Sequence, residues 1–215
     1  MRISKVTIFA LILSLLSFVS AASADPITLT NLFGTISISD IGVGGMGTIG
    51  STTITSHGSE LTNFEGITAP HGRSLGYVGF STGVLESGSV LNGGVFSSTG
   101  STFDVIGKGK FGQPKGNIFI GSFVGPIDWT LISQNKQERT YTLTGELSGT
   151  LWNGRFTTGY TTQTINILNK NQLNGGVGHI GLGSTSISAP EPGTLGLLGT
   201  GLVGIAGMFR RKYFS

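Results

Sequence analysis

The stretch that decides the fold is Thr140-Tyr-Thr-Leu-Thr-Gly-Glu-Leu-Ser-Gly-Thr-Leu151, in which apolar and polar residues alternate with a period of two. Tyr141, Leu143, Leu147 and Leu151 fall on one face of an extended chain, while threonine, serine and glutamate fall on the other. Such alternation is typical of an antiparallel strand with one buried face and one solvated face. The stretch therefore predicts a half-solvated β-strand.

Further strand-like segments lie on both sides of this stretch, and no segment outside the C-terminal tail shows a helical stripe. Asn153-Gly154 is a two-residue hairpin signal, and the polar run 133–138 predicts a longer hairpin loop. Many short strands separated by turn signals predict an all-β fold. We expect an antiparallel β-sandwich, with a jelly-roll-like arrangement or a barrel as alternatives. The other predicted strands are 27–30, 35–39, 116–123, 128–132 and 161–168.

The N-terminus has the three parts of a secretory signal. Arg2 and Lys5 form a basic n-region before an apolar run, and Ala22 and Ala24 supply the small side chains that signal peptidase requires. The sequence predicts a signal peptide at 1–24, cleaved after Ala24. The chain that follows is expected to be exported.

The C-terminus combines an extended acidic motif with a short apolar run. Proline fixes φ and pushes the preceding residue toward extended geometry, so Pro190 and Pro192 are expected to hold Glu191 in an extended segment. The predicted membrane helix, 194–209, carries no charge. The apolar run within it begins at Leu195 and has fifteen residues, which extend about 22 Å as a helix. A bilayer core is about 30 Å thick, so a run of this length suits a transient anchor better than a permanent one. A stop-transfer cluster follows and is expected to stay in the cytoplasm: Arg210, Arg211 and Lys212.

These tail residues closely resemble the PEP-CTERM sorting signal of bacterial surface proteins. The resemblance covers Pro190-Glu191-Pro192, the glycine-rich apolar segment and the basic end, in that order, although Tyr213-Phe214-Ser215 extends past the usual end. It implies processing by an exosortase, a membrane-embedded protease with transpeptidase character. It also implies a membrane-anchored precursor that is later delivered to the cell surface or extracellular matrix. The same type of tail is found on some ice-binding proteins.

The organisation predicted for the whole chain is a signal peptide, an all-β extracytoplasmic domain at 25–183, a linker at 184–189 and a sorting tail at 190–215. The chain has a formal net charge of +3. Its two terminal signals hold five of the basic residues, so 25–189 carries eight basic and nine acidic residues. This balance gives no basic footprint for nucleic acid. The chain has no cysteine, which excludes disulfides and thiol chemistry.

Catalytic and metal-binding patterns are weak in this sequence. Segments 72–76 and 79–83 match the nucleophile-elbow pattern but lack the helix that must follow the serine. His57, His71 and His179 lack the spacing of a metal site. No enzymatic activity, metal or cofactor is therefore expected. A glycosidase would need two of the following carboxylates to face each other in a groove: Glu60, Glu65, Glu86, Asp104, Asp128 and Glu146.

Three non-enzymatic functions remain open for the predicted domain. The first is a structural surface protein associated with exopolysaccharide, with signal peptidase, exosortase and the inner membrane as partners. The second is a carbohydrate-binding β-sandwich module that stacks sugars on a face formed by Trp129, Trp152, Tyr141 and Tyr160. For Trp129 and Trp152, which lie in amphipathic strands, burial in the core is the competing role. The third is an ice-binding protein, suggested by three Thr-x-Thr segments: 53–55, 140–144 and 162–164.

Overall fold

A computed structural model describes residues 26–42, 45–168 and 177–188. All of them belong to one compact unit, Pro26–Ala189. Within these ranges the regular structure is entirely β-strand. The thirteen strands are β1 Ile27–Leu32, β2 Thr35–Ile38, β3 Ile54–His57, β4 Ser59–Phe64, β5 Ile67–Thr68, β6 Gly76–Ser81, β7 Leu85–Ser89, β8 Gly93–Phe96, β9 Thr102–Lys108, β10 Lys115–Gln134, β11 Glu138–Leu151, β12 Phe156–Leu168 and β13 Val177–Ser188.

Eight of these strands close into an antiparallel barrel in the order β1, β13, β12, β11, β10, β9, β6, β4 and back to β1. Closure depends on β1, which pairs with β13 on one side and with β4 on the other. A closed sheet has no free edge among its member strands, so their backbone groups are paired on both sides.

The remaining strands extend the sheet outside this ring. Strands β2 and β3 bridge the start of β13 to β6, and β8 and β7 continue from the second half of β10. The short β5 pairs with β4. The chain turns from β1 into β2 at Phe33 and Gly34, both with positive φ. A Cβ on Gly34 would lie 2.6 Å from the Ser59 nitrogen, so this corner requires glycine.

The barrel interior is a packed apolar core built by alternate residues of each strand. The Trp129 and Tyr141 rings stack with centroids 4.4 Å apart, and Phe103 makes edge contacts with Phe119 and Phe123. All five side chains are buried. Each fully buried side chain of this size contributes about 1.5–3 kcal/mol relative to exposure, so the core is the main source of stability.

The all-β antiparallel prediction is confirmed, and the observed architecture is the barrel that the sequence left as an alternative to the sandwich. Alternation along a strand shows that one face is buried, but it does not show whether the sheet packs on a second sheet or closes on itself. The predicted strands at 116–123 and 128–132 are one long strand, β10. It is interrupted by a bulge at Gly125 and Pro126, where the β10–β11 register shifts. The hairpin predicted at Asn153-Gly154 is present, with Gly154 at a φ of 77°.

The predicted boundary between domain and linker is wrong. Residues 184–188 belong to β13, where Ser184 pairs with Thr30 on β1 and with Thr162 on β12. This segment reads as a linker because serine and threonine alternate with few large apolar residues. Its two neighbouring strands nevertheless pair with both of its edges, and Ile187 is fully buried.

Candidate functional site: the outer face of β10 to β13

The outer face of β10 to β13 presents mostly polar residues in rows that run across the strands. One row consists of Val124, Glu146, Tyr160 and Ser186, each paired with the next across neighbouring strands. They face outward because their sequence neighbours, such as Leu147 and Thr161, are buried in the barrel. The row is therefore a consequence of alternation combined with register.

The bulge in β10 turns this row into a groove. Val124 pairs with Glu146 and Asp128 pairs with Thr144, so β10 advances four residues where β11 advances two. The additional residues, Gly125 and Pro126, are displaced outward. A groove of about 440 Å³ lies beside Tyr160, lined also by Glu146, Ser148, Thr158 and Ser186. An adjoining groove of about 270 Å³ shares Val124, Glu146 and Tyr160 with the first and adds Pro126, Asp128 and Thr144.

These grooves combine side chains that suit a polyhydroxylated ligand. Tyr160 is 48 % exposed, so its ring offers an aromatic face to solvent. Glu146 and Asp128 are carboxylates that accept hydrogen bonds, and the surrounding serine and threonine hydroxyls both donate and accept. An aromatic surface flanked by a few convergent polar groups is the usual composition of a small-molecule site.

Two of the predicted Thr-x-Thr segments meet on this face. Thr142 pairs with Thr164, and Thr144 pairs with Thr162. Thr53 and Thr55 lie elsewhere: Thr53 immediately precedes β3, and Thr55 lies within it. A closed eight-stranded sheet is curved because its strands tilt around the barrel axis. The rows therefore lie on a curved surface, whereas an ice-binding surface is expected to be flat, and ice binding stays a prediction.

The predicted pair of stacking tryptophans does not form a common surface. Trp129 is 1 % exposed, and its indole nitrogen donates to the Val90 carbonyl at 2.8 Å. Trp152 is 44 % exposed at one end of the barrel, where its ring makes an edge contact with Phe64. Glycan stacking on Trp129 is therefore wrong, because the Trp129 ring fills the core. Trp152 alone remains accessible.

Sequence reasoning named Tyr160 in a candidate stacking face with Trp129, Trp152 and Tyr141. It did not separate the two exposed members of that set, Trp152 and Tyr160, from the two buried ones. Ile165 and Ile167 place the odd-numbered residues of β12 in the barrel, so even-numbered residues face outward. Tyr160 falls on the outward set together with Thr162 and Thr164. A large aromatic side chain on the solvated face of a strand is unusual and indicates a binding surface.

The residues of the two elbow patterns do not assemble a hydrolase site. Ser74 is buried and accepts a hydrogen bond from the Lys108 ammonium group, which also lies 4.5 Å from the centre of the Tyr77 ring. The element that follows Ser74 is the strand β6 and not the helix that a nucleophile elbow requires. The Ser81 hydroxyl bonds to Thr102 at 2.9 Å, and β6 is not followed by a helix.

The histidines and carboxylates are mostly dispersed over the barrel. His57 bonds through Nε2 to the Ser37 hydroxyl at 2.9 Å. His179 lies in the same cross-strand row as His57, with Thr35 between them, whereas His71 is exposed on the connection between β4 and β6. Among the described residues, no three His, Asp or Glu side chains lie close enough to share a metal ion. Of the six carboxylates considered for a glycosidase pair, Asp128 and Glu146 line one groove.

The predicted sorting and cleavage residues lie outside the described residues. These are Ala22, Ala24, Pro190, Glu191, Pro192, Arg210, Arg211 and Lys212. The predicted membrane segment 194–209 lies outside them as well. Across 26–42, 45–168 and 177–188, no helix has the length and hydrophobicity that a membrane span requires.

Comparison with protein families assigns the C-terminal end of the chain. Residues 188–212 match the family model described as a PEP-CTERM protein-sorting motif. The match begins at Ser188, the last residue of β13, so the barrel leads directly into the motif. No curated protein and no solved structure matches the chain. The chain thus carries the sorting motif predicted from Pro190-Glu191-Pro192, which implies that it is targeted to an exosortase.

Proposed function

We propose that this carrier of a PEP-CTERM sorting motif is a non-enzymatic structural protein of the bacterial surface, associated with exopolysaccharide. Signal peptidase removes residues 1–24, the tail holds the precursor in the inner membrane, and an exosortase acts near Pro190-Glu191-Pro192. The barrel then remains at the cell surface or in its matrix. The observation that carries this proposal is the motif match at 188–212, which begins where β13 ends.

The closed barrel supports a passive role outside the cell. Its eight ring strands leave no open edge for uncontrolled pairing, and its stability comes from a packed core rather than from disulfides. The chain contains no cysteine, so its folding does not depend on disulfide formation.

The sorting part of the proposal is tested with two variants of the full-length chain. We expect Glu191→Ala to leave export and folding intact while impairing processing, because Glu191 follows the last strand of the barrel, β13, in the sequence. Deletion of residues 195–212 is expected to release the chain in soluble form, because it removes the apolar run that holds the membrane. Immunoblots of membrane, surface and medium fractions measure both effects in hosts with and without an exosortase. Identical processing of the wild-type chain in both hosts would overturn the proposal.

A second candidate function is carbohydrate binding in the Tyr160 groove, and it would explain an association with exopolysaccharide. The exposed Tyr160 ring lies beside Glu146, within a groove whose other walls carry hydroxyl groups. Stacking of a sugar ring on tyrosine and hydrogen bonds from sugar hydroxyls to the carboxylates would supply affinity and orientation.

Glycan-array binding of the exported chain tests this candidate. Tyr160→Ala is expected to abolish binding, whereas Tyr77→Ala is a matched control, since Tyr77 is a similarly exposed tyrosine on β6. Equal binding by wild type and Tyr160→Ala rules out the groove. Release of reducing sugars that is lost in Glu146→Gln would instead show a glycosidase and contradict the non-enzymatic proposal.

A further inference from the structure

One end of the barrel, which we call the tail end, is where the described chain both enters and leaves. Ile27 at the start of β1 pairs with Ile187, next to the last residue of β13. The register places three connections at this same end: 65–75 between β4 and β6, 109–114 between β9 and β10, and 152–155 between β11 and β12. We define the tail end as these connections together with the strand residues that flank them.

The tail end is strongly basic. Of the seven lysine and arginine residues that the structure describes, five lie there: Arg73, Lys108, Lys110, Lys115 and Arg155. The same three connections contain one carboxylate, that of Glu65. Residues 25–189 together carry slightly more acidic than basic residues. The concentration of positive charge at one end is therefore a property of the fold, and it gives the tail end complementarity to an anionic surface.

The basic residues converge on a groove at this end. The groove has a volume of about 280 Å³ and is lined by Arg73, Lys108, Lys110, Phe111 and Ser74. One carboxylate, Glu60, also lines it, so three basic side chains face a single acidic one. Arg73 and Lys110 are exposed, whereas the Lys108 ammonium is engaged by Ser74 and Tyr77. Arginine and lysine side chains arranged around a polar groove of this size suit a phosphate group.

Exposed aromatic residues surround the basic groups. Phe111, Trp152 and Phe156 are 47 %, 44 % and 67 % exposed. Phe111 also has a φ of 62°, an unfavourable conformation for a bulky residue, which holds its ring at the tip of the β9–β10 loop. Aromatic rings mixed with lysine and arginine are characteristic of surfaces that lie at the headgroup level of a bilayer.

The covalent distance from the tail end to the anchoring segment is short. Leu195, the start of the apolar run, follows Ser188 by seven residues. Whatever conformation they adopt, seven residues span at most about 25 Å. A chain anchored by its tail therefore keeps the tail end close to the membrane surface.

We propose that the tail end is a membrane-docking surface for anionic phospholipids. Lipid phosphates occupy the groove between Arg73 and Lys110, and Phe111, Trp152 and Phe156 enter the headgroup region. This rests on the proposed function in one respect, namely that the tail anchors the precursor. Docking would hold residues 190–192 at the surface where a membrane-embedded exosortase acts, and would release the barrel once the tail is cut.

Tryptophan fluorescence provides the test, because the chain has only two tryptophans and only Trp152 is accessible. The exported full-length chain is reconstituted into vesicles whose acyl chains carry bromine near the headgroup. Quenching of Trp152 fluorescence by the brominated lipid is the difference in quenching between wild type and Trp152→Phe. We expect it in vesicles containing phosphatidylglycerol and expect it to weaken in neutral phosphatidylcholine vesicles and at high salt.

Matched variants separate charge from aromatic contact. Lys110→Glu with Lys115→Glu is expected to weaken binding of the anionic surface by about fivefold or more per residue, whereas Lys136→Glu at the opposite end is the control. Phe111→Ser is expected to reduce quenching. Phe33→Ser is its control, since Phe33 is also exposed, has the same φ of 62° and lies away from the tail end.

Equal quenching in neutral and anionic vesicles, unaffected by Lys110→Glu and Lys115→Glu, would overturn the proposal and leave the tail as a simple tether. Protection of Trp152 from a soluble quencher by alginate, without quenching by vesicles, would also overturn it in favour of an acidic polysaccharide. The vesicles contain no exosortase. Either result therefore leaves the sorting experiment unaffected, and failure of the sorting experiment does not alter the vesicle result.

Discussion

Asn31 and Gln163 exchange two hydrogen bonds inside the barrel, although 132 positions separate them in the chain. Asn31 Nδ2 donates to Gln163 Oε1 at 2.9 Å, and Gln163 Nε2 donates to Asn31 Oδ1 at 3.2 Å. Both side chains are fully buried. Ser59 and Thr161 complete the network as further hydrogen-bond acceptors. A buried polar network that is satisfied in this way favours one register over its alternatives, because slipping a strand would leave amides unpaired.

Gly183 makes this amide pair possible. It is the register partner of Asn31 on one side and of Gln163 on the other, so the two amides meet over its missing side chain. A Cβ at this position would lie 2.1 Å from an amide atom of each residue. We expect Gly183→Ala to lower the free energy of unfolding by about 3 kcal/mol, because the clash displaces a buried network. Chemical denaturation measures this change.

The control for Gly183→Ala is Gly79→Ala on β6. A Cβ on Gly79 meets no atom within 4 Å, so stability is expected to stay within about 1 kcal/mol of wild type. Equal effects of the two substitutions would show that the amides do not depend on Gly183.

A double-mutant cycle on the amide pair tests whether its members act together. Asn31→Leu is expected to cost about 2–3 kcal/mol because it leaves the Gln163 amide buried without its partner, and Gln163→Leu should cost a similar amount. The double variant is expected to be less destabilised than the sum of the two, with a coupling of about 1 kcal/mol or more. Strict additivity in equilibrium unfolding would contradict a cooperative pair.

The two tryptophans are expected to differ sharply in their contribution to stability. Trp129→Ala removes a buried ring stacked on Tyr141 and should cost about 3–5 kcal/mol. Trp152→Ala removes an edge contact with Phe64 and should cost about 1 kcal/mol. Denaturation curves measure both values. A larger loss for Trp152→Ala than for Trp129→Ala would contradict the placement of these rings.

Asp104 is expected to make the free energy of unfolding depend on pH in the acidic range. Burial raises the pKa of the Asp104 carboxyl above its usual value of 3.8. The folded chain therefore holds this proton to a higher pH than the unfolded chain does. The resulting stabilisation is fully present below pH 3.8 and is lost as the pH rises through the raised folded pKa.

We expect Asp104→Asn to gain stability relative to wild type as the pH rises across that window, since asparagine carries no charge to desolvate. Melting temperatures measured from below pH 3.8 to neutrality test this. A difference between the two proteins that is the same at every pH would contradict the effect of burial on Asp104.

The sequence by itself determined the local features of this protein. Period-two alternation in 140–151 placed Tyr141, Leu143 and Leu147 inside, since successive side chains of a strand point to opposite faces. Pro190-Glu191-Pro192, the apolar run and the basic end predicted a sorting motif, and the family match confirmed it. Both kinds of information are local, because each depends on neighbouring residues and not on the path of the rest of the chain.

Closure of the barrel was decided only by the tertiary structure. It depends on β1 pairing with β13 at Ile27 and Ile187, a contact between opposite ends of the body that no local pattern encodes. The same pairing made residues 184–188 of the linker predicted at 184–189 part of a strand. It also brought the exit of the tail to the basic end formed by Arg73, Lys110 and Lys115. Long-range register fixes which outward residues become neighbours, and for that reason the Tyr160 groove and the tail end emerged only with the fold.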